Sequence, residues 1–206
     1  MKASSEDQTI KRHITVDQTE TTAVDLLATH LTFSKQQIKD AMQKGCVWLT
    51  RDQHTQRLRR AKKTLKKDDQ LHIYYRRSIL QQAPIASRLV ADEGLYSVWD
   101  KSYGVLSHGS KWGDHQSLGR YAESHLSPQR NAFVVHRLDR AATGLMLIAH
   151  SKKAAQALGK LFEARQIDNH YQVAVHGQFP EASQRFTDSL DNKPALTIAK
   201  QLDYNA

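Results

Sequence analysis

One cysteine, Cys46, is all that 206 residues provide. A lone thiol excludes an intramolecular disulfide framework and any zinc site built on cysteine pairs, and it fits a reducing compartment. Long apolar runs are scarce too. No stretch approaches the roughly 20 apolar residues that cross a bilayer, and Met1–Glu20 is polar throughout, unlike a secretory signal peptide. The eleven histidines form no His-Glu-x-x-His pair and no zinc spacing, and there is no Walker loop and no Gly-x-Gly-x-x-Gly turn. Metals and nucleotides are therefore not implied. We expect a soluble, cytoplasmic monomer that needs no metal and no cofactor.

What the chain has in excess is positive charge, and it is unevenly spread. Of the net +9, residues 22–77 carry 13 Lys/Arg against 5 Asp/Glu, a local net of +8. A compact basic segment points to a polyanion, most simply nucleic acid. A basic membrane-surface helix is the alternative, but the segment does not read as one long amphipathic helix.

Residues 1–21 are polar and read as a mobile tail. Val24, Leu27, Ala28 and Leu31 recur at helical spacing, as do Ile38, Ala41 and Met42. Between these runs Ser34 and Gln37 predict a capping box, and Gly45 predicts the helix stop. Cys46–Thr50 and Leu71–Tyr75 are short strand-like runs, separated by the basic stretch Arg57–Lys67 and an Asp68-Asp69 turn. Residues 78–88 contain Pro84 and little apolar pattern, and read as a linker. Beyond it, strands are expected at Leu89–Ala91, Leu95–Trp99, Phe133–Val135, Gly144–His150 and Ile167–Val175, and helices at His115–His125 and Lys152–Arg165.

The most informative stretch is His136-Arg137-Leu138-Asp139-Arg140-Ala141-Ala142-Thr143-Gly144-Leu145, followed by the apolar run to Ala149. It sets a carboxylate between two guanidiniums on a loop that feeds a buried strand. Such a cluster is often an exposed ion pair of little weight. A positioned carboxylate can instead serve as nucleophile, base or electrostatic stabiliser.

The whole string resembles the signature of the RluA-type pseudouridine synthases. The likeness extends to Val90–Val98, which is similar to the family's opening hairpin, and to Asp100-Lys101-Ser102-Tyr103-Gly104-Val105-Leu106-Ser107-His108, with Ser102 where that family has proline. It continues in Asn169-His170-Tyr171-Gln172-Val173-Ala174-Val175-His176-Gly177, with Asn169 in place of lysine, and in Lys193-Pro194-Ala195-Leu196-Thr197. The resemblance implies that Asp139 is the catalytic aspartate. It implies that Arg137 enters the RNA stack where the target uridine leaves, with Arg140 beside it on the substrate. Tyr171 would then pack on the flipped base and assist proton removal at C5. For His136 we expect a structural hydrogen bond rather than a general-base role.

Residues 22–75 resemble an S4 RNA-binding domain, carried by Ser34-Lys35, Lys44-Gly45-Cys46-Val47 and Asp69-Gln70-Leu71-His72-Ile73. The chain departs from it in having lysine after Ser34 and Arg51-Asp52 where Asn-Gly is usual in the hairpin. This likeness implies RNA contacts from Lys35, Lys39, Lys44, Arg59, Arg60, Lys62 and Lys63. The expected fold class is α+β: a flexible tail over 1–21, a small S4-like domain over 22–77, a linker over 78–88, and the N-terminal part of a mixed, mainly antiparallel synthase domain over 89–206. A further family block, Thr-Gly-Arg-x-His-Gln-Ile-Arg, has no counterpart in these 206 residues, which leads us to expect a piece of a longer enzyme. Its first arginine is the implied partner of Asp139.

Two functions follow. One is an RNA pseudouridine synthase acting on structured RNA, ribosomal rather than transfer RNA. The other is a non-catalytic RNA-binding or ribosome-assembly protein with an incomplete synthase domain.

Overall fold

The structure, a computed structural model, describes residues 7–17, 21–192 and 194–203. Its first elements are strand β1 (Thr9–Thr15), helices α1 (Ala23–His30) and α2 (Lys35–Gln43), strands β2 (Val47–Arg51), β3 (His54–Arg57) and β4 (Gln70–Arg76), and the short helix α3 (Arg77–Leu80). The strands form one antiparallel sheet in the order β1-β4-β2-β3. Alternation along them sends Ile14, Val47, Leu49, Leu71 and Ile73 to one face, where they share a core with Val24, Leu27, Ile38 and Met42 of the helices. Each large aliphatic side chain buried there contributes about 1.5–3 kcal/mol.

The capping box forms as expected: Ser34 accepts from the Gln37 backbone N–H, and the Gln37 side chain accepts from the Ser34 N–H. Gly45 follows the α2 cap at φ +84°. The β2–β3 hairpin turns at Asp52 and Gln53, both at positive φ (49° and 62°), the geometry for which Asn-Gly is favoured. The turn pair is therefore Asp52-Gln53, one residue on from the Arg51-Asp52 expected, and the left-handed conformation at Gln53 costs about 1 kcal/mol. Gln53→Gly is expected to raise stability by about 0.5–1 kcal/mol in urea unfolding. An unchanged or lowered midpoint would contradict this.

The tail reading of residues 1–21 is corrected. Thr9–Thr15 pairs with β4 along its whole length, and Ile14 and Val16 are buried. Its signal was the two-residue spacing of Ile14 and Val16, masked by polar neighbours; the exposed edge of β4 supplies the hydrogen bonds that make it a strand.

Next come β5 (Arg88–Asp92), β6 (Tyr96–Lys101), α4 (Leu118–His125), β7 (Phe133–Val134), β8 (Gly144–Ala149) and α5 (Lys152–Glu163). The strands make a second antiparallel sheet ordered β5-β6-β8-β7. Trp99, Met146 and Ile148 pack with Val105, Leu118, Ala122, Leu126 and Leu138. Helix α4 begins later than His115 because Ser117 caps it, accepting from the Arg120 N–H.

The boundary expected at residues 78–88 does not divide the chain. Both sheets belong to one compact unit ending at Ile167, and the division falls between Ile167 and Asp168. In the second unit β9 (Gln184–Phe186) pairs with β10 (Thr197–Ala199). The strand expected at Ile167–Val175 is not formed; Tyr171, Val173 and Val175 are exposed, and no described strand pairs with them. Alternation marks a segment fit for a sheet, but a strand exists only against a neighbour. Lys193 lies outside the described residues.

Candidate active site

Asp139 lies on the loop between β7 and β8, where the sequence reading put it, and its neighbours are fastened on both sides. Leu138 is buried in the second core, and its backbone is held twice by one hydroxyl. Ser107 Oγ donates to the Leu138 carbonyl at 2.5 Å and accepts from the Leu138 N–H at 3.0 Å. On the other side the Arg140 carbonyl accepts from the Gly104 N–H at 2.9 Å, while Arg140 Nε donates to the Gly104 carbonyl at 3.2 Å. The Asp139 carbonyl closes the turn by accepting from the Ala142 N–H. Between the two fastenings the Asp139 side chain projects outward, 85% exposed, with Arg137 Nη2 3.6 Å from its Oδ1. At 72% exposure for Arg137 this pair adds little to stability. The carboxylate is positioned by the backbone around it rather than by its ion pair.

The segment that does the fastening is Asp100–His108, whose role the sequence alone left unassigned. Lys101 is fully buried and donates to the Val105 carbonyl at 2.9 Å. Burial pushes its pKa down, and the nearby Asp139 charge pulls it back up. His108 is lowered by burial and then by the positive charge of Arg137. His136 is lowered by burial and then by His108. Its Nε2 accepts from the Leu147 N–H at 2.9 Å and its ring stacks on Phe162, which is the structural role expected of it. Lys101, Ser107 and His108 are the residues sequence reasoning missed; the only signal was their presence in the Asp100–His108 motif.

Of the expected site residues, Asp139, Arg137 and Arg140 share one loop. Arg140 spends one donor on Gly104. Tyr171 belongs to the second unit, where it is 66% exposed.

The expected RNA-contacting cations divide into two groups. Lys39, Arg60 and Lys62 are exposed and Lys63 half-exposed. Lys35 is exposed but paired with Asp25 at 2.7 Å; its ammonium, with Thr22, holds Asp25 below the usual carboxylate range. Two others are half-exposed and bonded within the chain. Lys44 Nζ donates to the Leu80 carbonyl at 2.6 Å. Arg59 donates to the Gln43 carbonyl at 2.7 Å and pairs with Asp114. Arg57 pairs with the same carboxylate at 3.2 Å and donates to the Ser110 carbonyl at 2.7 Å. Arg57 and Arg59 thus join the first sheet to the 107–117 loop.

Residues 95–205 match the family of RNA pseudouridylate synthases. The chain belongs to that family. The match takes in the Asp139 loop, its fastening segment from Leu95 onward, and Tyr171. The chain is similar to the mitochondrial tRNA pseudouridine(32) synthase of Saccharomyces cerevisiae, 29% identical over 131 residues, which is 61% of this chain and 26% of that protein. It is similar to an uncharacterized RNA pseudouridine synthase of Helicobacter pylori, 26% identical over 142 residues, or 69% of this chain and 46% of that one. A shorter likeness, 40% over 48 residues, covers 23% of this chain and 13% of tRNA pseudouridine synthase C from Pectobacterium carotovorum. The aligned part thus amounts to less than half the length of each of these relatives. Among the described residues, no helix is long and apolar enough to cross a membrane.

Proposed function

We propose that the protein isomerises uridine to pseudouridine in structured RNA, with Asp139 as the participating carboxylate. The observation that carries this reading is the pair of backbone fastenings at Leu138 and Arg140, which present the side chain between them, a carboxylate, to solvent. A base inside folded RNA must first be extruded. Arg137 is long, planar and exposed, suited to fill the vacated stack and hold phosphate. Tyr171 supplies a ring for the extruded uracil. The N1–C1′ bond then breaks, the ring turns in place, C5 bonds to C1′, N1 gains a proton and C5 loses one. Asp139 takes part either at C1′ or on the uracil ring. Atoms and electrons balance without a redox partner.

The order helix, helix, glycine turn, hairpin and closing strand over Ala23–Arg76 supports an S4-like RNA-binding role for the first sheet and its helices. Ribosomal RNA is the substrate we propose on that ground, in the cytoplasm. Transfer RNA is the second reading, favoured by the names of the yeast and Pectobacterium relatives. Mapping pseudouridines in both RNA classes from a strain lacking the protein decides between them. Loss of no pseudouridine in either class would leave the non-catalytic RNA-binding alternative.

The exposed cations give a separate test. Replacing Arg60, Lys62 and Lys63 together with serine should weaken RNA affinity and reduce the slope of log affinity against log salt by about 2–3. Arg59 is left intact because it holds Asp114. An unchanged slope would remove this loop from the contact surface.

A further inference from the structure

The first sheet has a second face. Residues of opposite parity to its core line up there: Lys11 and His13 on β1, His72, Tyr74 and Arg76 on β4, Trp48 on β2 and Arg57 on β3. The register makes a row across all four strands, His13↔His72, His72↔Trp48, Trp48↔Arg57, with Lys11↔Tyr74 beside it. The 107–117 loop extends the row with Lys111 and Trp112, fixed by a 3.1 Å hydrogen bond from Trp48 Nε1 to the Lys111 carbonyl. Ring centroids lie 4.9 Å apart for His13–His72, 5.8 Å for His13–Tyr74 and 5.9 Å for Tyr74–Trp112. Cations are interleaved: Arg76 sits 4.8 Å from the Trp112 ring and Lys111 5.3 Å from Tyr74, while Arg57, already tied to Asp114, only lies against the Trp48 ring at 4.2 Å. Lys11, His13 and Lys111 are exposed, and Trp48, His72, Tyr74, Arg76 and Trp112 are half-exposed.

We propose that this face is a binding platform for an unpaired segment of RNA, distinct from both the Asp139 loop and the basic loop after β3. The proposal rests on the reading that the protein acts on RNA. The basic loop belongs to the other side of the sheet, because Ala61, Lys63 and Leu65 hydrogen-bond to the chain entering α1. The combination on this face selects the ligand. Rings offer stacking to any base, and the Arg76 guanidinium with the Lys11 and Lys111 ammoniums beside them meets the phosphates. A duplex hides its base faces and would use only the cations. An unpaired strand satisfies both, and with little dependence on sequence.

The test uses the full chain and a 12-nucleotide oligoadenylate, which offers no uridine to the Asp139 site. Oligoadenylate is expected to quench tryptophan fluorescence, with binding weakened about tenfold or more in Trp112→Leu. Lys11→Glu combined with Lys111→Glu, both at exposed positions, should weaken it similarly without moving the thermal midpoint. Variants that bind oligoadenylate as tightly as the parent would overturn the platform. So would a parent chain that ignores oligoadenylate while the natural protein still forms pseudouridine, an outcome that leaves the enzymatic reading standing. Failure of both binding and isomerisation would remove the two together.

Discussion

Asp139→Asn is expected to lower pseudouridine formation by the natural protein at least a thousandfold, about 4 kcal/mol in the barrier, while RNA affinity changes by less than about threefold. The substitution keeps the shape of the side chain and removes its charge and nucleophilicity. Because Asp139 is 85% exposed and its ion pair with Arg137 is long, folding should scarcely register the change, within about 0.5 kcal/mol. The fastenings on either side use backbone groups of Leu138 and Arg140, so the loop keeps its path. Release of tritium from RNA labelled at uridine C5 reads the reaction directly, since C5 must lose its hydrogen when it bonds to C1′. Wild-type release by the asparagine variant would end the assignment of Asp139.

The second large effect is expected far from that loop. Asp114→Ala should cost about 2–4 kcal/mol of stability, the range for breaking a buried ion pair discounted for partial exposure. Asp114 is 15% exposed and takes both Arg57 and Arg59. Its N–H also donates to the Lys44 carbonyl at 3.0 Å. Burial lowers the Arg57 pKa, and the Asp114 charge opposes that in part. Removing the carboxylate leaves two guanidiniums facing each other with little water. The surrounding packing is unforgiving: a Cβ on Gly109 would strike the Asp114 side chain and come within 2.8 Å of its Cα, and a Cβ on Gly45 would strike Oδ1. Gly109→Ala should therefore destabilise as well, and less than additively with Asp114→Ala, because both damage one junction. Urea unfolding of the two single variants and the double measures this. A loss below 0.5 kcal/mol for Asp114→Ala, or full additivity, would refute the junction.

What the sequence disclosed was local. Ser34 and Gln37 announced their capping box, Gly45 its stop, and the apolar run after Thr143 its strand, since each needs only neighbours within a turn or two. The Asp139 loop was legible because its whole signature is contiguous. The bonding of Arg59 was hidden for the opposite reason. Within the basic stretch nothing separates it from Arg60; a carboxylate 55 residues further along decides that one is tied inward and the other faces solvent. Ser107 was invisible for the same cause, its partner Leu138 lying 31 residues away. Ile167–Val175 failed differently: its alternation is real, but no described strand supplies the partner that would make it a ladder.

The two fastenings beside Asp139 have a consequence for selectivity. A side chain whose backbone is clasped on both flanks has little freedom to reach toward its target. All the travel is left to the uridine. On the proposed reading, the ease with which a nucleotide leaves its stack becomes part of the recognition code. A uridine in a hairpin loop or beside a bulge gives up little on leaving, and one inside a long stem gives up several kcal/mol. The stiffness of this short loop would then sort RNA by its local softness as much as by its sequence.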